Sequence, residues 1–223
     1  MIIAIEGMDG SGKSSISKKV AEKIGYEYLE KPLRNYLNIS DSEFENFCHK
    51  IYLLDDNLKA LFFGFGNLLA MKTGKHNIIF DKHILSTYFW NGTNENECLF
   101  NNFIDMGIFP DLTIILYASI ENRIRHIKIR SIDDKDLLDQ KKMSFGYDKM
   151  IVFAEKSNIS YIFINGDLLS FDEIVNLIIA IINDCVGLTK EDIFNYCNAF
   201  NTIEYEKDKN VKKLCFRGEK KNG

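Results

Sequence analysis

The chain has 223 residues, 46% hydrophobic and 27% charged, with a formal net charge of −4 at pH 7. That length suits one domain with a core of ordinary size, alone or with a small appendage. The mildly acidic balance excludes the basic footprint that grips long nucleic acid, and the longest apolar run, "ALFFGFGNLLAM", is too short and glycine-broken to cross a membrane.

The chain opens on "IIAIE" (2–6), an apolar run that reads as a buried strand. Gly7 to Ser14 follow as G-M-D-G-S-G-K-S, and then Ile16, Val20 and Ile24 recur at helical spacing up to Gly25, which is placed to end a helix. Further strand-like runs are "YEYLE" (26–30), "NIIFD" (77–81), "LTIILY" (112–117) and "YIFI" (161–164), with helical stretches between them. Such alternation predicts an α/β fold of three layers, a five-stranded parallel sheet flanked by helices. Ser170 and Glu173 form a capping box ahead of a helix whose face is Ile174, Val175, Ile178, Ile181 and Ile182, closing near Gly187. After Leu188 the character changes to one short helical signal, "TKEDIFNYCNAF", and a lysine-rich end that reads as a solvated tail. The expected organisation is a domain over 1–187 and a small, partly disordered extension over 188–223. Five cysteines, Cys48, Cys98, Cys185, Cys197 and Cys215, lie far apart without a CxxC pair, and read as reduced thiols of a cytoplasmic protein.

The glycine segment carries the chemistry. G-x-x-x-x-G-K-S between a strand and a helix is the pattern of a phosphate loop, whose backbone N–H groups turn inward around a polyphosphate at the positive end of a helix. Gly7, Asp9, Gly10, Ser11, Gly12, Lys13, Ser14 and Ser15 are the expected nucleotide-binding residues. Lys13 would reach the outer phosphates of ATP, with Ser14 on Mg²⁺. Asp81, closing the third strand, is a second candidate for the metal or its water, or for a place near the acceptor phosphate. Three of the five arginines, Arg123, Arg125 and Arg130, cluster just after the fourth strand, where a lid spanning about 123–142 would supply positive charge to a moving phosphoryl group. Arg34 is a candidate for an acceptor phosphate, and Phe62, Phe63 and Trp90 are candidates for stacking on a base.

Read together, "IEGMDGSGKSS", "DKHILSTYFWNG" (81–92), "PDLT" (110–113) and "INGD" (164–167) resemble the thymidylate kinase family of nucleoside monophosphate kinases over roughly residues 1–183. The resemblance implies that Asp9 lies near the acceptor's sugar hydroxyl, that Lys82 and Asn91 stand where the family has Arg and Gln, and that Asn165 and Asp167 lie at the adenine. Lysine keeps the charge at 82 but lacks the planar fork. It also makes Arg130 and Lys135 the leading lid cations, ahead of Arg125 and then Arg123, and implies a homodimer. The expected reaction is transfer of the ATP γ-phosphoryl group to a deoxynucleoside monophosphate, dTMP first. A deoxynucleoside kinase with Glu30 as general base is the alternative, and a non-catalytic nucleotide-binding protein a second.

Overall fold

A computed structural model of the chain describes residues 1–30, 32–72, 76–130 and 146–207. Five strands, β1 (Ile2–Glu6), β2 (Glu27–Leu29), β3 (Ile78–Asp81), β4 (Leu112–Tyr117) and β5 (Tyr161–Asn165), form one parallel sheet in the order β2-β3-β1-β4-β5. The expected strands are found within one residue at each end. In register, Ile3 lies between Ile79 and Leu112, and Thr113 pairs with Tyr161.

Both faces of the sheet are covered, and side-chain alternation decides which residue meets which layer. Ile114, Leu116, Ile162 and Ile164 join a core with α1 (Lys13–Ile24), α9 (Phe171–Cys185) and α10 (Lys190–Lys207). Their strand neighbours Ile115, Tyr161 and Phe163 face the other way, into a core built with α4 (Asp56–Lys72), α5 (Ile84–Asn91), α6 (Glu97–Asp105) and α8 (Asp148–Lys156). The remaining described elements are α2 (Pro32–Leu37), α3 (Asp41–Tyr52), α7 (Ile120–Arg130) and a short 3-10 turn at Gly166–Leu168.

Local signals set several helix ends. Gly25 is left-handed at the end of α1, and the box of Ser170 and Glu173 caps α9. The same box, Ser40 with Glu43, opens α3. The final helix runs beyond "TKEDIFNYCNAF", and its Ile193 and Cys197 are buried in the sheet's own core. Asn201 completes its docking: its Oδ1 accepts from the Phe163 N–H at 3.0 Å and its Nδ2 donates to the Tyr161 carbonyl at 2.9 Å. The lysine-rich end from 208 lies outside the described residues.

Strand order fixes where a ligand can sit. From β1 the chain crosses to β2 and β3 on one side and later to β4 and β5 on the other, so the carboxyl end of β1 is the switch point where a crevice opens. Gly7 to Gly12 leave β1 there.

Candidate active site

Two glycines of the loop are required by crowding as much as by backbone angle. Gly7 has φ 153°, and a Cβ on it would lie 2.6 Å from the Leu116 carbonyl oxygen. Gly10 has φ 82°, and its Cβ would lie 2.6 Å from the Arg123 carbonyl oxygen. The loop is thus pressed between β4 and α7. The Met8 carbonyl accepts from the Ser11 N–H at 3.1 Å and from the Lys13 ammonium at 3.1 Å, folding the lysine back over the loop.

Lys13 is buried in the first turn of α1. Burial, reinforced by the positive charge of Lys82, pushes its ammonium down to about 8, against the pull of Asp9, Asp81 and Glu6. Asp9 stands between the cations: its Oδ1 accepts from Lys82 Nζ at 3.0 Å and lies 3.6 Å from Lys13 Nζ. Burial alone would raise this carboxyl, yet Lys82, Lys13 and Arg123 together hold it well below the usual carboxylate range. Burial likewise opposes the charge on Lys82, but Asp9 outweighs it and the ammonium is raised. Lys82 sits at φ 70°, in the left-handed region, with its N–H on the Ile5 carbonyl at 3.1 Å.

The loop is gripped from above by α7. Arg123 is almost fully buried and donates from Nε to the Asp9 carbonyl at 2.9 Å, while His126 Nδ1 lies 2.8 Å from the Gly10 carbonyl. Among the lid cations expected from sequence, Arg125 is exposed on α7, Arg130 is the last residue of that helix, and Lys135 lies outside the described residues, while Arg123 is placed against the loop.

Asp81 is buried at the end of β3. Its Oδ2 accepts from the Tyr28 hydroxyl at 3.2 Å and its Oδ1 has no partner among the described residues. Burial and the charges of Asp81 and Glu30 push the Tyr28 hydroxyl far above its ordinary value, which places Glu30 beside it at the end of β2. Ser14 is half-buried in the first turn of α1, and Ser15 beside it is exposed.

The other expected residues have side-chain partners of their own. Arg34 pairs with Asp41 at the start of α3. Phe62 and Phe63 join Phe47 and Tyr52 in an aromatic cluster, with centroids 5.1 Å apart for Phe62 and Phe63 and 5.8 Å for Phe63 and Tyr52. Trp90 meets Phe89 edge-on at 4.9 Å. Asn91 is buried at the end of α5, where its Nδ2 donates to the Thr87 carbonyl at 3.1 Å. Asn165 Oδ1 accepts from the Asp167 N–H at 3.1 Å, and the Asp167 carboxylate accepts from Ser119 N–H at 3.0 Å and Asn122 Nδ2 at 2.6 Å, so this pair anchors the start of α7.

Sequence reasoning missed Glu6, Tyr28 and Tyr52. Tyr52 stands 59% exposed at the end of α3, yet its hydroxyl is raised by partial burial, by Cys48 and by Asp9 against the pull of Lys82, so it overlooks the Asp9–Lys82 pair. A carboxylate ending the wholly buried run "IIAIE" was the available signal for Glu6. Tyr52 carried none, because its place depends on how α3 packs.

A parallel sheet whose central strand ends in such a loop, with a buried lysine opening the next helix, belongs to the class of phosphate-loop nucleotide-using enzymes. The thymidylate kinase family model matches residues 5–176, and the chain belongs to that family. It is 26% identical over 202 residues to the thymidylate kinase of Mesomycoplasma hyopneumoniae strain 7448, covering 80% of this chain and 94% of that one. It is also 26% identical over 191 residues to the probable thymidylate kinase of Methanocaldococcus jannaschii, again covering 80% and 94%. Among solved structures, the deoxyadenosine kinase of M. mycoides with bound dCTP shares the fold with a TM-score of 0.57 at 21% identity, over 82% of this chain and all of that one. The protein is an enzyme, a nucleoside monophosphate kinase. Among the described residues no helix is long and apolar enough to cross a membrane.

Proposed function

We propose that the protein transfers the γ-phosphoryl group of ATP to a deoxynucleoside monophosphate, dTMP first, with Mg²⁺. The observation that carries this reading is the gathering of Lys13, Lys82 and Arg123 around Asp9 at the phosphate loop. Phosphoryl transfer demands positioning and cationic stabilisation more than covalent participation. Lys13 would follow the outer phosphates of ATP, and Lys82, 43% exposed in its side chain, would leave Asp9 for the acceptor phosphate. Arg123 holds the loop's shape, leaving Arg125, Arg130 and Lys135 as lid cations.

The buried Oδ1 of Asp81, without a partner among the described residues, and the half-buried Ser14 hydroxyl fit a hard divalent cation, which takes oxygen ligands. When bound, Mg²⁺ supplies charge neutralisation between the phosphates. Tyr28 holds the Asp81 carboxylate from the other side. Thymine is the base we propose, supported by the names of the relatives, and Phe63 with Tyr52 is the aromatic surface on which a base would lie.

The test is a panel of nucleosides and monophosphates with labelled ATP, run on wild type, Lys82→Ala and Glu30→Gln. Monophosphates, dTMP foremost, should be the acceptors, with Lys82→Ala strongly impaired. Turnover on nucleosides that survives Lys82→Ala but is abolished by Glu30→Gln would replace this reading with a deoxynucleoside kinase.

A further inference from the structure

Glu6 has no solvent exposure, and its carboxyl gathers four hydrogen bonds from one short segment. Oε1 accepts from the backbone N–H groups of His83 at 2.9 Å, Leu85 at 3.1 Å and Ser86 at 3.3 Å, and Oε2 accepts from the Ser86 hydroxyl. These are the first-turn donors of α5, which a helix cannot satisfy internally. His83, in the capping position of α5, makes no side-chain cap bond, so a carboxylate from another strand serves instead.

The two ends of this contact are the two halves of the reaction. Glu6 is followed directly by Gly7 and the phosphate loop. Asp81 and Lys82 directly precede the segment that it binds. That segment is unfavourable by itself, because Lys82 is left-handed at φ 70°. Conformations of this kind persist only where surrounding contacts hold them. We propose that Glu6 is a positioning residue for the acceptor, fixing Lys82 and Asp81 at a set distance from the phosphate loop. The inference rests on the reading of Lys82 as the acceptor-phosphate cation.

Glu6→Gln keeps the shape but removes the negative charge at the helix start, and Ser86→Ala removes only the Oε2 contact. For each, the ATP Kd is measured by calorimetry without acceptor, and the acceptor KM, kcat and thermal midpoint are measured separately. Glu6→Gln should raise the acceptor KM about tenfold or more, the scale of one lost charge-assisted hydrogen bond, with ATP affinity within about twofold of wild type. Ser86→Ala should move the same way by a smaller factor, and it carries the test if Glu6→Gln does not fold. An ATP Kd weakened as much as the acceptor KM would reduce Glu6 to a general structural role and overturn the proposal, as would an unchanged acceptor KM in both variants. Lys82→Ala, run alongside, separates the two readings. If its acceptor KM is normal while that of Glu6→Gln rises, Glu6 still positions the acceptor and the assignment of Lys82 is what fails.

Discussion

Lys82 has two properties that one substitution can separate: a cation at the acceptor side and a left-handed backbone. Replacing it with glycine removes both the ammonium and the strain, whereas alanine removes the ammonium alone. Left-handed backbone costs an L-residue about 1–2 kcal/mol. Glycine's greater freedom in the unfolded chain takes back about 0.4–1 kcal/mol of that relief. Losing the partly exposed pair with Asp9 costs both variants alike, about 0–1 kcal/mol. Lys82→Gly should therefore be more stable than Lys82→Ala by roughly 0–1.6 kcal/mol, centred near 1 kcal/mol, which is about 2–4 °C in Tm for a chain of this size. Activity should not follow stability. Both variants lose a charge-assisted contact of about 1.5–3 kcal/mol, so kcat/KM for the acceptor should fall roughly 10- to 150-fold in each. Thermal unfolding and steady-state kinetics on the pair check this together. A glycine variant less stable than the alanine one, or either variant with unchanged acceptor kcat/KM, would refute the reasoning.

ATP binding should depend on pH through Lys13. Its folded value of about 8 lies below its ordinary 10.5, so the folded state carries fewer protons between those values and stability rises with pH across that window, the cost of the buried charge being felt in full below about 8. A triphosphate beside the ammonium reverses this shift: binding should take up a proton near pH 8–9, seen as a heat that varies with buffer ionisation enthalpy, and affinity should weaken above pH 8. Heats independent of the buffer would count against it. Gly10→Ala should drive α7 off the loop, because its Cβ meets the Arg123 carbonyl at 2.6 Å and Ile127 Cγ1 at 2.9 Å, whereas Gly25→Ala, at φ 70° with nothing within 4 Å, carries backbone strain alone. Strain less the lost unfolded-state freedom should cost both roughly 0–1.6 kcal/mol, and Gly10→Ala more, but only Gly10→Ala should lose activity, as unfolding and turnover assays on the two will tell.

Local rules explain what could be read in advance. The phosphate loop, the strand runs, the end of α1 at Gly25 and the capping box at Ser170 are each set within a few residues of chain, and each is found where expected. The cap at Ser40 obeys the same rule and was readable, but no helix was expected there. Which of Arg123 and Arg125 meets the loop was not readable, since they share one helix and differ only in the side of α7 they occupy. Asp167 illustrates the same limit from the other direction. A strand-end carboxylate has one chemistry and several geometric uses, and here its partners are Ser119 and Asn122, about 45 residues earlier in the chain. Glu6 belongs with them, its partners lying near residue 85.

The amide of Asn201 occupies both a donor and an acceptor on the outer rim of β5, imitating for one residue pair what a sixth strand would do. A rim left bare invites any extended peptide to add itself to the sheet. The last helix therefore does more than fill the core: by occupying the place where a foreign strand would dock, it makes the sheet finite on that side.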